Sequence, residues 1–396
     1  MAERNLNFDE IVERRGTDCL KYDFAKRRGK PADVLPLWVA DMDFKTSSYV
    51  EDALIERAKH GIFGYSDTQE VYFNAVAGWM ERHHHWKIKE DWLIKTPGVV
   101  FALAMAVKAF TKVGDSILVQ QPVYYPFSEV IRDNDRVIVS NDLILGDDNR
   151  YHIDLADFEK QIVEHDVKLF LLCNPHNPSG RVFTKEELTA MGDICVKHGV
   201  TVVSDEIHND FVYPGYEHTV FANVDPRFAE FTLTCTAPSK TFNLAGLQIS
   251  NIFIPNENLR KAFKAEIDKT GYDEPNALGV VACEAAYRAG EDWLDQLKAY
   301  LLKNLNFLRD FLQEKLPQIH LVEPEGTYLV WLDCSELGIT GKELDQFIVD
   351  KAGLWLDGGS MFGPSGAAFQ RVNIACPQAT LELALNKLKA AVDNLK

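Results

Sequence analysis

The sequence contains no apolar run long enough to cross a membrane. The apolar run at residues 99–107 ends at Lys108, whereas a membrane-spanning helix needs about 20 consecutive apolar residues. The first residues, MAERNLNFDE, are polar and charged, so they lack the apolar core of a secretory signal peptide. These absences exclude an integral membrane protein and predict a soluble protein of the cytoplasm.

Positive charge and paired cysteines are also scarce. Lys and Arg number 42 against 59 Asp and Glu, which gives a net charge of −17; such a surface repels phosphates and argues against a nucleic-acid partner. The seven cysteines are odd in number and scattered, with no CxxC pair. This pattern excludes a disulfide framework and predicts reduced cysteines, as in cytosolic proteins.

The chain does have enough apolar residues for a large core. It has 396 residues, of which 46% are hydrophobic, and this length is sufficient for two domains. Strand patterns alternate with helix patterns between residues 92 and 254, which predicts an α/β domain with a mostly parallel sheet covered on both faces. A short helix is expected at 8–15, and after a long helix at 291–315 the pattern changes to α+β. We therefore predict a large domain at 48–290 and a smaller α+β domain made of 1–47 and 291–396.

Lys240 lies between two predicted core strands, at residues 231–235 and 248–254. Burial lowers the pKa of a lysine, and a neutral amine is a nucleophile that can form a Schiff base. The alternative is an ordinary surface lysine in a polar loop. The residues that follow neighbouring strands favour the first interpretation.

Two of these neighbouring strands end in polar side chains. Residues 168–173 lead into a turn-rich loop that contains Asn177, and residues 201–204 lead into Asp205. Ligands of open α/β sheets bind at the carboxyl ends of the strands. An amide, a carboxylate and a lysine are the groups that hold the phenolic oxygen, the pyridine nitrogen and the aldehyde of pyridoxal phosphate.

With Asn177, Asp205 and Lys240 in this order, the sequence resembles the pyridoxal-phosphate enzymes of the aspartate-aminotransferase fold (fold type I). It is most similar to their cystathionine β-lyase/C–S lyase branch, the MalY/PatB family, because Ala-Asp-Met-Asp-Phe at 40–44 resembles a signature of that branch. The resemblance covers nearly the whole chain. It implies pyridoxal 5'-phosphate as cofactor, Lys240 as the catalytic residue, a small amino-acid substrate and a homodimer.

Further cofactor contacts are expected around these three residues. A glycine before a helix leaves backbone N–H groups free for a phosphate, which points to Gly98, Val99 and Val100. The resemblance implies the remaining contacts: Tyr124 stacked on the pyridine ring, His208, Ser239, and Tyr65 reaching the phosphate of the other subunit. Without the resemblance, Tyr65 and Tyr124 would be ordinary packed tyrosines.

The resemblance implies that Ala40, Tyr124, Asn177 and Arg371 bind the substrate. Arg371 lies in an otherwise apolar strand, and a buried arginine needs an anionic partner. The partner is either a carboxylate of the small domain or, as the resemblance implies, the α-carboxylate of the substrate, which a guanidinium binds through two parallel hydrogen bonds. No metal site is expected, and the run His83–His84–His85 is interpreted as a solvated helix end.

Two positions depart from the transaminase pattern. Tyrosine is usual three residues after the aspartate, where this chain has His208, and a phosphate-binding arginine is usual eight residues after the lysine, where it has Gln248. Together with the segment 40–44, these departures favour α,β-elimination on L-cystathionine and related cysteine S-conjugates, which gives a thiol such as homocysteine, pyruvate and ammonia. The alternatives are a class I/II aminotransferase, or a lyase that also acts as a regulatory protein.

Overall fold

The structure is a computed structural model that describes residues 6–395. Residues 1–5 of the predicted segment 1–47, and Lys396 at the end of the segment 291–396, lie outside the described residues. The strands, numbered along the chain, are β1 Leu35–Pro36, β2 Leu93–Thr96, β3 Ser116–Val119, β4 Val137–Ser140, β5 Ile144–Leu145, β6 Tyr151–His152, β7 Leu169–Cys173, β8 Thr201–Asp205, β9 Thr232–Thr236, β10 Ser250–Phe253, β11 His320–Val322, β12 Leu329–Asp333, β13 Leu354–Trp355, β14 Asp357–Gly358 and β15 Phe369–Asn373.

The α-helices lie between and after these strands. They are α1 Leu20–Asp23, α2 Ser48–His60, α3 Glu70–His84, α4 Val99–Phe110, α5 Tyr125–Arg132, α6 Leu155–Glu164, α7 Lys185–His198, α8 Phe221–Val224, α9 Pro226–Ala229, α10 Pro238–Thr241, α11 Glu257–Asp268, α12 Ala277–Ala289, α13 Glu291–Lys315, α14 Gly341–Asp350 and α15 Gln378–Val392. The predicted long helix at 291–315 is confirmed at both ends.

The main sheet has seven strands among the described residues, in the order β2-β10-β9-β8-β7-β3-β4. All of them run parallel except β10, which pairs antiparallel with β2 and β9. Strand β7 shows why the sheet is covered on both faces. Leu169 and Leu171 pack with α4 and α11, whereas Phe170 and Leu172 pack with α6 and α7 on the other face, as alternation along a strand requires.

A smaller antiparallel sheet, in the order β11-β12-β15-β14, follows the long helix α13. The segment before α2 joins this region: β1 pairs parallel with β13, and the Trp38 and Trp355 rings stack at 4.4 Å. The fold is thus the predicted α/β arrangement of a mostly parallel sheet and a smaller α+β unit. Within the described residues no helix is both long and apolar enough to span a bilayer.

Two local predictions need correction. Residues 8–15, expected as a short helix, are not helical; Arg14 in this segment forms ion pairs with Asp41 and Asp43. The histidine run ends helix α3 as expected, and His85 is exposed, but His84 is not solvated: it is buried, and its Nε2 lies 3.0 Å from the Asp210 carboxylate. Asp210 follows β8, so this contact depends on packing that connects distant parts of the chain.

Candidate active site

The residues predicted for the site follow the carboxyl ends of parallel strands. Asp205 is the last residue of β8, Asn177 comes four residues after β7, and Lys240 comes four residues after β9. Tyr124 and Gly98 follow β3 and β2 in the same way. Since these strands are parallel, all five residues meet at one edge of the main sheet.

A cavity of about 220 Å³ occupies this edge. Its walls contain ten of the predicted residues: Ala40, Gly98, Val99, Val100, Tyr124, Asn177, Asp205, His208, Ser239 and Lys240. They also contain six residues outside that set: Pro97, Cys173, Ile207, Ala245, Gln248 and Ile249. The cavity therefore brings together residues from almost every loop at this edge.

Lys240 is partly buried in the wall of the cavity, on the short helix α10. Its Nζ donates a hydrogen bond to the backbone carbonyl of Ala40, at 3.0 Å. The pKa of Lys240 is lowered to about 8, mainly by burial and also by the charge of Arg371, while Asp41 and Asp205 act in the opposite direction. Near pH 8 a large fraction of the amine is therefore neutral and able to act as a nucleophile or base.

The segment that carries Lys240 is anchored by a buried carboxylate. Asp210 accepts hydrogen bonds from the Thr241 hydroxyl at 2.6 Å and from the Trp79 indole N–H at 3.1 Å, and its other neighbour is His84. These contacts hold the pKa of Asp210 at about 2, despite the opposing effect of its burial. Because Thr241 is next to Lys240, the anchor restricts the position of the lysine backbone.

Asp205 is a buried carboxylate beside the cavity. Burial raises its pKa to about 7, while a hydrogen bond from the Ile207 backbone N–H, at 3.1 Å, acts in the opposite direction. Among residues 6–395 no cationic nitrogen lies within 4.0 Å of it. An ionised form of Asp205 would be favoured by a positively charged group in the cavity.

Arg371 lies directly behind Asn177, at the centre of a buried polar cluster. Its guanidinium donates to Asn177 Oδ1 and to the Trp38 carbonyl, each at 3.0 Å, and forms an ion pair with Asp357. Asp357 is the cross-strand partner of Arg371 in the pairing of β14 with β15. The expected small-domain carboxylate thus exists, and the Arg371 Nε is buried without a partner among the described residues.

Ala40, in the segment 38–44, lines the cavity, and two asparagines hold the backbone of this segment. Asn373 donates to the carbonyls of Val39 and Asp41, both at 2.7 Å. Asn243 accepts from the Met42 N–H and donates to the Met42 carbonyl. The Ala40 carbonyl between these points is therefore held facing Lys240.

Gly98 is the residue before the first turn of α4. A Cβ added to it would meet no atom within 4 Å, so the space beside this glycine is open toward the cavity that it lines. The N–H groups of the first turn, with the positive end of the helix dipole, favour an anion there. Ser239, on the short helix α10 beside Lys240, lines the same cavity.

Tyr124 and His208 complete the set of ring-bearing residues at the cavity. The Tyr124 backbone N–H donates to the Asn177 carbonyl at 2.9 Å, which ties its loop to that of Asn177. His208 is buried, and its pKa is well below the usual value, first because of burial and then because of the Lys240 and Arg371 charges. Its imidazole is therefore neutral, and its Nδ1 lacks a partner among the described residues.

Tyr65 is not part of this cavity. It is 96% exposed, and the neighbouring Ile62 and Phe63 are 67% and 59% exposed. The single chain thus brings ten of the predicted residues together around the cavity. It places Arg371 against Asn177, outside the cavity lining, and leaves apart Tyr65, which was predicted to act on another subunit.

Sequence reasoning missed the apolar wall formed by Cys173, Ile207, Ala245 and Ile249. Cys173 is the last residue of β7, and Ile207 comes two residues after β8. Their positions at the carboxyl ends of predicted strands could have identified them as residues of the site. Gln248, which stands at the position of the transaminase arginine, also lines the cavity. Its side chain is uncharged, so this wall provides no cation for a phosphate.

A lysine-centred cavity at the carboxyl edge of a mostly parallel sheet is typical of pyridoxal-phosphate enzymes of fold type I. The family model for aminotransferase class I and II matches residues 32–388. Cystathionine beta-lyase PatB of Bacillus subtilis is 46% identical over 98% of this chain and 100% of its own. Protein MalY of Escherichia coli is 32% identical over 95% and 96% of the two chains.

A solved structure has the same fold over the whole chain. Cystalysin from Treponema denticola, which contains a pyridoxal 5'-phosphate cofactor, matches with a TM-score of 0.95 and 38% identity, over 99% of this chain and 100% of its own. The chain belongs to the aminotransferase class I and II family and, within it, to the group that contains PatB and MalY.

Proposed function

We propose that the protein is a pyridoxal-phosphate-dependent carbon–sulfur lyase that performs α,β-elimination on L-cystathionine and related cysteine S-conjugates. The observation that carries this proposal is that Lys240, whose pKa is lowered, lines the same cavity as Asp205 and Asn177. The full-length likeness to a cystathionine β-lyase supports the reaction type.

The residues of the cavity fit pyridoxal phosphate. Lys240 would form the covalent link to the aldehyde, and Asp205, whose pKa is raised by burial, would gain a cationic partner in a protonated pyridine nitrogen. Gly98 and the first turn of α4 would bind the phosphate, together with Ser239. Tyr124 and His208 would contact the ring, and the Asn177 amide would donate to the phenolic oxygen.

When bound, the cofactor supplies an electron sink that stabilises negative charge at the substrate Cα. The protein's own part in the reaction is to place a base and to orient the substrate. The Lys240 amine, neutral in large fraction near pH 8 because burial lowers its pKa, is the group proposed to remove the Cα proton.

The substrate is proposed to be held by its α-carboxylate at Arg371, beside Ala40, Tyr124 and Asn177. Support comes from the unpartnered Arg371 Nε and from the ion pair with Asp357, which fixes the guanidinium in one orientation. With the carboxylate and the amine both held, the Cα–H bond would face the lysine. The bond from Cβ to sulfur then breaks, the thiolate departs with the electron pair, and the remaining enamine hydrolyses to pyruvate and ammonia.

The test is wild-type enzyme with L-cystathionine and no added keto acid. A lyase should release homocysteine, pyruvate and ammonia continuously, because each turnover returns the cofactor to its starting form. The measurement is pyruvate release over many turnovers, with the absorbance of the cofactor followed in parallel. An aminotransferase would instead stop after one stoichiometric turnover in the pyridoxamine form, and that result would contradict the proposal.

We further propose that the active unit is a homodimer in which Tyr65 reaches the phosphate in the partner's cavity. The support is the exposed position of Tyr65 and of the adjacent Ile62 and Phe63. Exposed apolar side chains grouped in one segment are typical of contact surfaces. We also propose two domains, 48–290 and 1–47 with 291–396, and a location in the cytoplasm, which the free cysteines support.

Mixing two inactive variants should restore activity if Tyr65 acts across the interface. In a dimer of one Tyr65→Phe and one Lys240→Ala subunit, one site combines an intact Lys240 with an intact Tyr65. Random exchange should therefore recover about a quarter of the wild-type sites in a symmetric dimer. The measurement is turnover after exchange, with sedimentation to establish the oligomeric state. Activity no higher than the mean of the two parents would exclude action in trans.

A further inference from the structure

Tyr328 is a buried tyrosine whose hydroxyl contacts the same atom as the Lys240 amine. The Tyr328 hydroxyl donates a hydrogen bond to the Ala40 carbonyl oxygen at 3.0 Å, and the Lys240 Nζ donates to that oxygen at 3.0 Å as well. A carbonyl oxygen has two lone pairs and can accept both bonds. The tyrosine is 0% exposed, although it is absent from the sequence-based set of site residues.

The ring of Tyr328 is held by two aromatic side chains from the segment after Asp205. It meets Phe211 edge to face, with ring centroids 4.9 Å apart and planes at 88°. It also meets the His208 ring at 5.8 Å and 73°. Such contacts restrict the ring to one orientation, so the hydroxyl has a fixed direction toward Ala40.

The backbone before Tyr328 is equally restricted. Thr327 has φ 67°, a left-handed conformation that is unusual for a β-branched residue. Its N–H donates to the Phe211 carbonyl at 2.9 Å, and its hydroxyl donates to the Leu329 carbonyl at 3.0 Å. Strained backbone of this kind persists only where its surroundings determine it strongly.

We propose that Tyr328 is a positioning residue for Lys240: its hydroxyl fixes the Ala40 carbonyl, and this carbonyl directs the free lysine amine toward the substrate Cα. The proposal rests on the proposed function, in which Lys240 must act as a base whenever it is not linked to the cofactor. A lysine side chain has several rotatable bonds, and ordering it costs conformational entropy. A fixed acceptor beside the amine reduces the number of positions that it samples before proton transfer.

The test is Tyr328→Phe, which keeps the ring and removes the hydroxyl alone. In the holoenzyme we expect kcat on L-cystathionine to fall about tenfold, since the base is less well placed, while KM changes less than about twofold because Arg371 and Asn177 still hold the carboxylate. Proton removal should become more rate-limiting. The kinetic isotope effect with substrate deuterated at Cα should therefore rise.

A second measurement does not depend on turnover. Apoenzyme mixed with pyridoxal phosphate forms its covalent link through the free Lys240 amine, and the change in absorbance gives the rate of capture. We expect Tyr328→Phe to capture the cofactor several times more slowly than wild type, because its amine is less well placed. The matched control is Tyr213→Phe: the Tyr213 hydroxyl is buried and lacks a hydrogen-bond partner among residues 6–395, so its removal should leave both rates unchanged.

The outcomes separate this proposal from the proposed function. Wild-type values of kcat, isotope effect and capture rate in Tyr328→Phe would overturn the positioning role. A raised KM with an unchanged isotope effect would also overturn it, since the hydroxyl would then act on substrate binding. A decrease in thermal stability with an unchanged isotope effect would overturn it as well, since the hydroxyl would then have only a structural role. If borohydride reduction of the wild-type holoenzyme attached the pyridoxyl group to a lysine other than Lys240, that result would contradict the proposed function itself, whatever Tyr328→Phe shows.

Discussion

Replacement of Lys240 by alanine should lower the rate of thiol release from L-cystathionine by about four orders of magnitude or more, because one side chain supplies both the covalent link and the base. The cavity should keep its shape, since the anchor of this segment, Thr241 to Asp210, does not involve the Lys240 side chain. The measurement is kcat of the purified variant, with its thermal unfolding compared with that of wild type.

Borohydride reduction of the wild-type holoenzyme, followed by peptide mapping, should place the pyridoxyl group on Lys240. Lys21 provides a matched control inside the same protein. It is a fully buried lysine outside the cavity, and its Nζ forms an ion pair with Asp43 at 2.8 Å. Burial alone is therefore not expected to make it reactive. A label on Lys21, or on any lysine other than Lys240, would refute the assignment.

Substitution of Arg371 by lysine should lower kcat/KM by about a hundredfold, or ~3 kcal/mol, the range for a lost hydrogen bond to a charged group. Lysine retains a charge for Asp357, but it cannot reproduce the bonds to both Asn177 and the Trp38 carbonyl. It also cannot bind a carboxylate through two parallel N–H donors. Elimination and any residual amino transfer should decrease together, because each requires the substrate carboxylate to be held.

The matched control for this substitution is Arg309→Lys. Arg309 forms a forked pair with Glu323, through Nε at 2.9 Å and Nη2 at 2.8 Å, and neither residue lines the cavity. Its replacement should leave kcat/KM within about twofold of wild type, since partly exposed ion pairs contribute little. An equal loss in both variants would show that the effect of Arg371→Lys comes from general destabilisation rather than from substrate binding.

Much of the fold could be predicted because the relevant signals are local. Short apolar or β-branched stretches and the turns after them locate β7, β8 and β9, and parallel strands bring Asn177, Asp205 and Lys240 to one edge of the sheet. The periodic apolar residues of α13 predicted both of its ends. The identity of the cofactor came from the order of residue types, through the resemblance to a known family.

Contacts between distant segments could not be predicted in this way. Asp357 faces Arg371 only because the two-residue strand β14 pairs with β15, and a strand of that length has no periodicity to detect. His84 looked like a solvated residue in a histidine run, but it is buried against Asp210, which lies 126 positions later in the chain. Neither contact has a signal in the local pattern.

The sequence by itself thus determined the family and the main sheet and pointed to Lys240 as the proposed reactive lysine, because strand patterns and residue order are properties of short stretches. Only the tertiary structure decided what surrounds that lysine. The Ala40 carbonyl reaches Lys240 from 200 positions away, and Tyr328 reaches the same atom from 288 positions away. These contacts arise when the segment 38–44, the main sheet and the small sheet pack together. The sequence pattern within any one of these three parts does not indicate how close it lies to the other two.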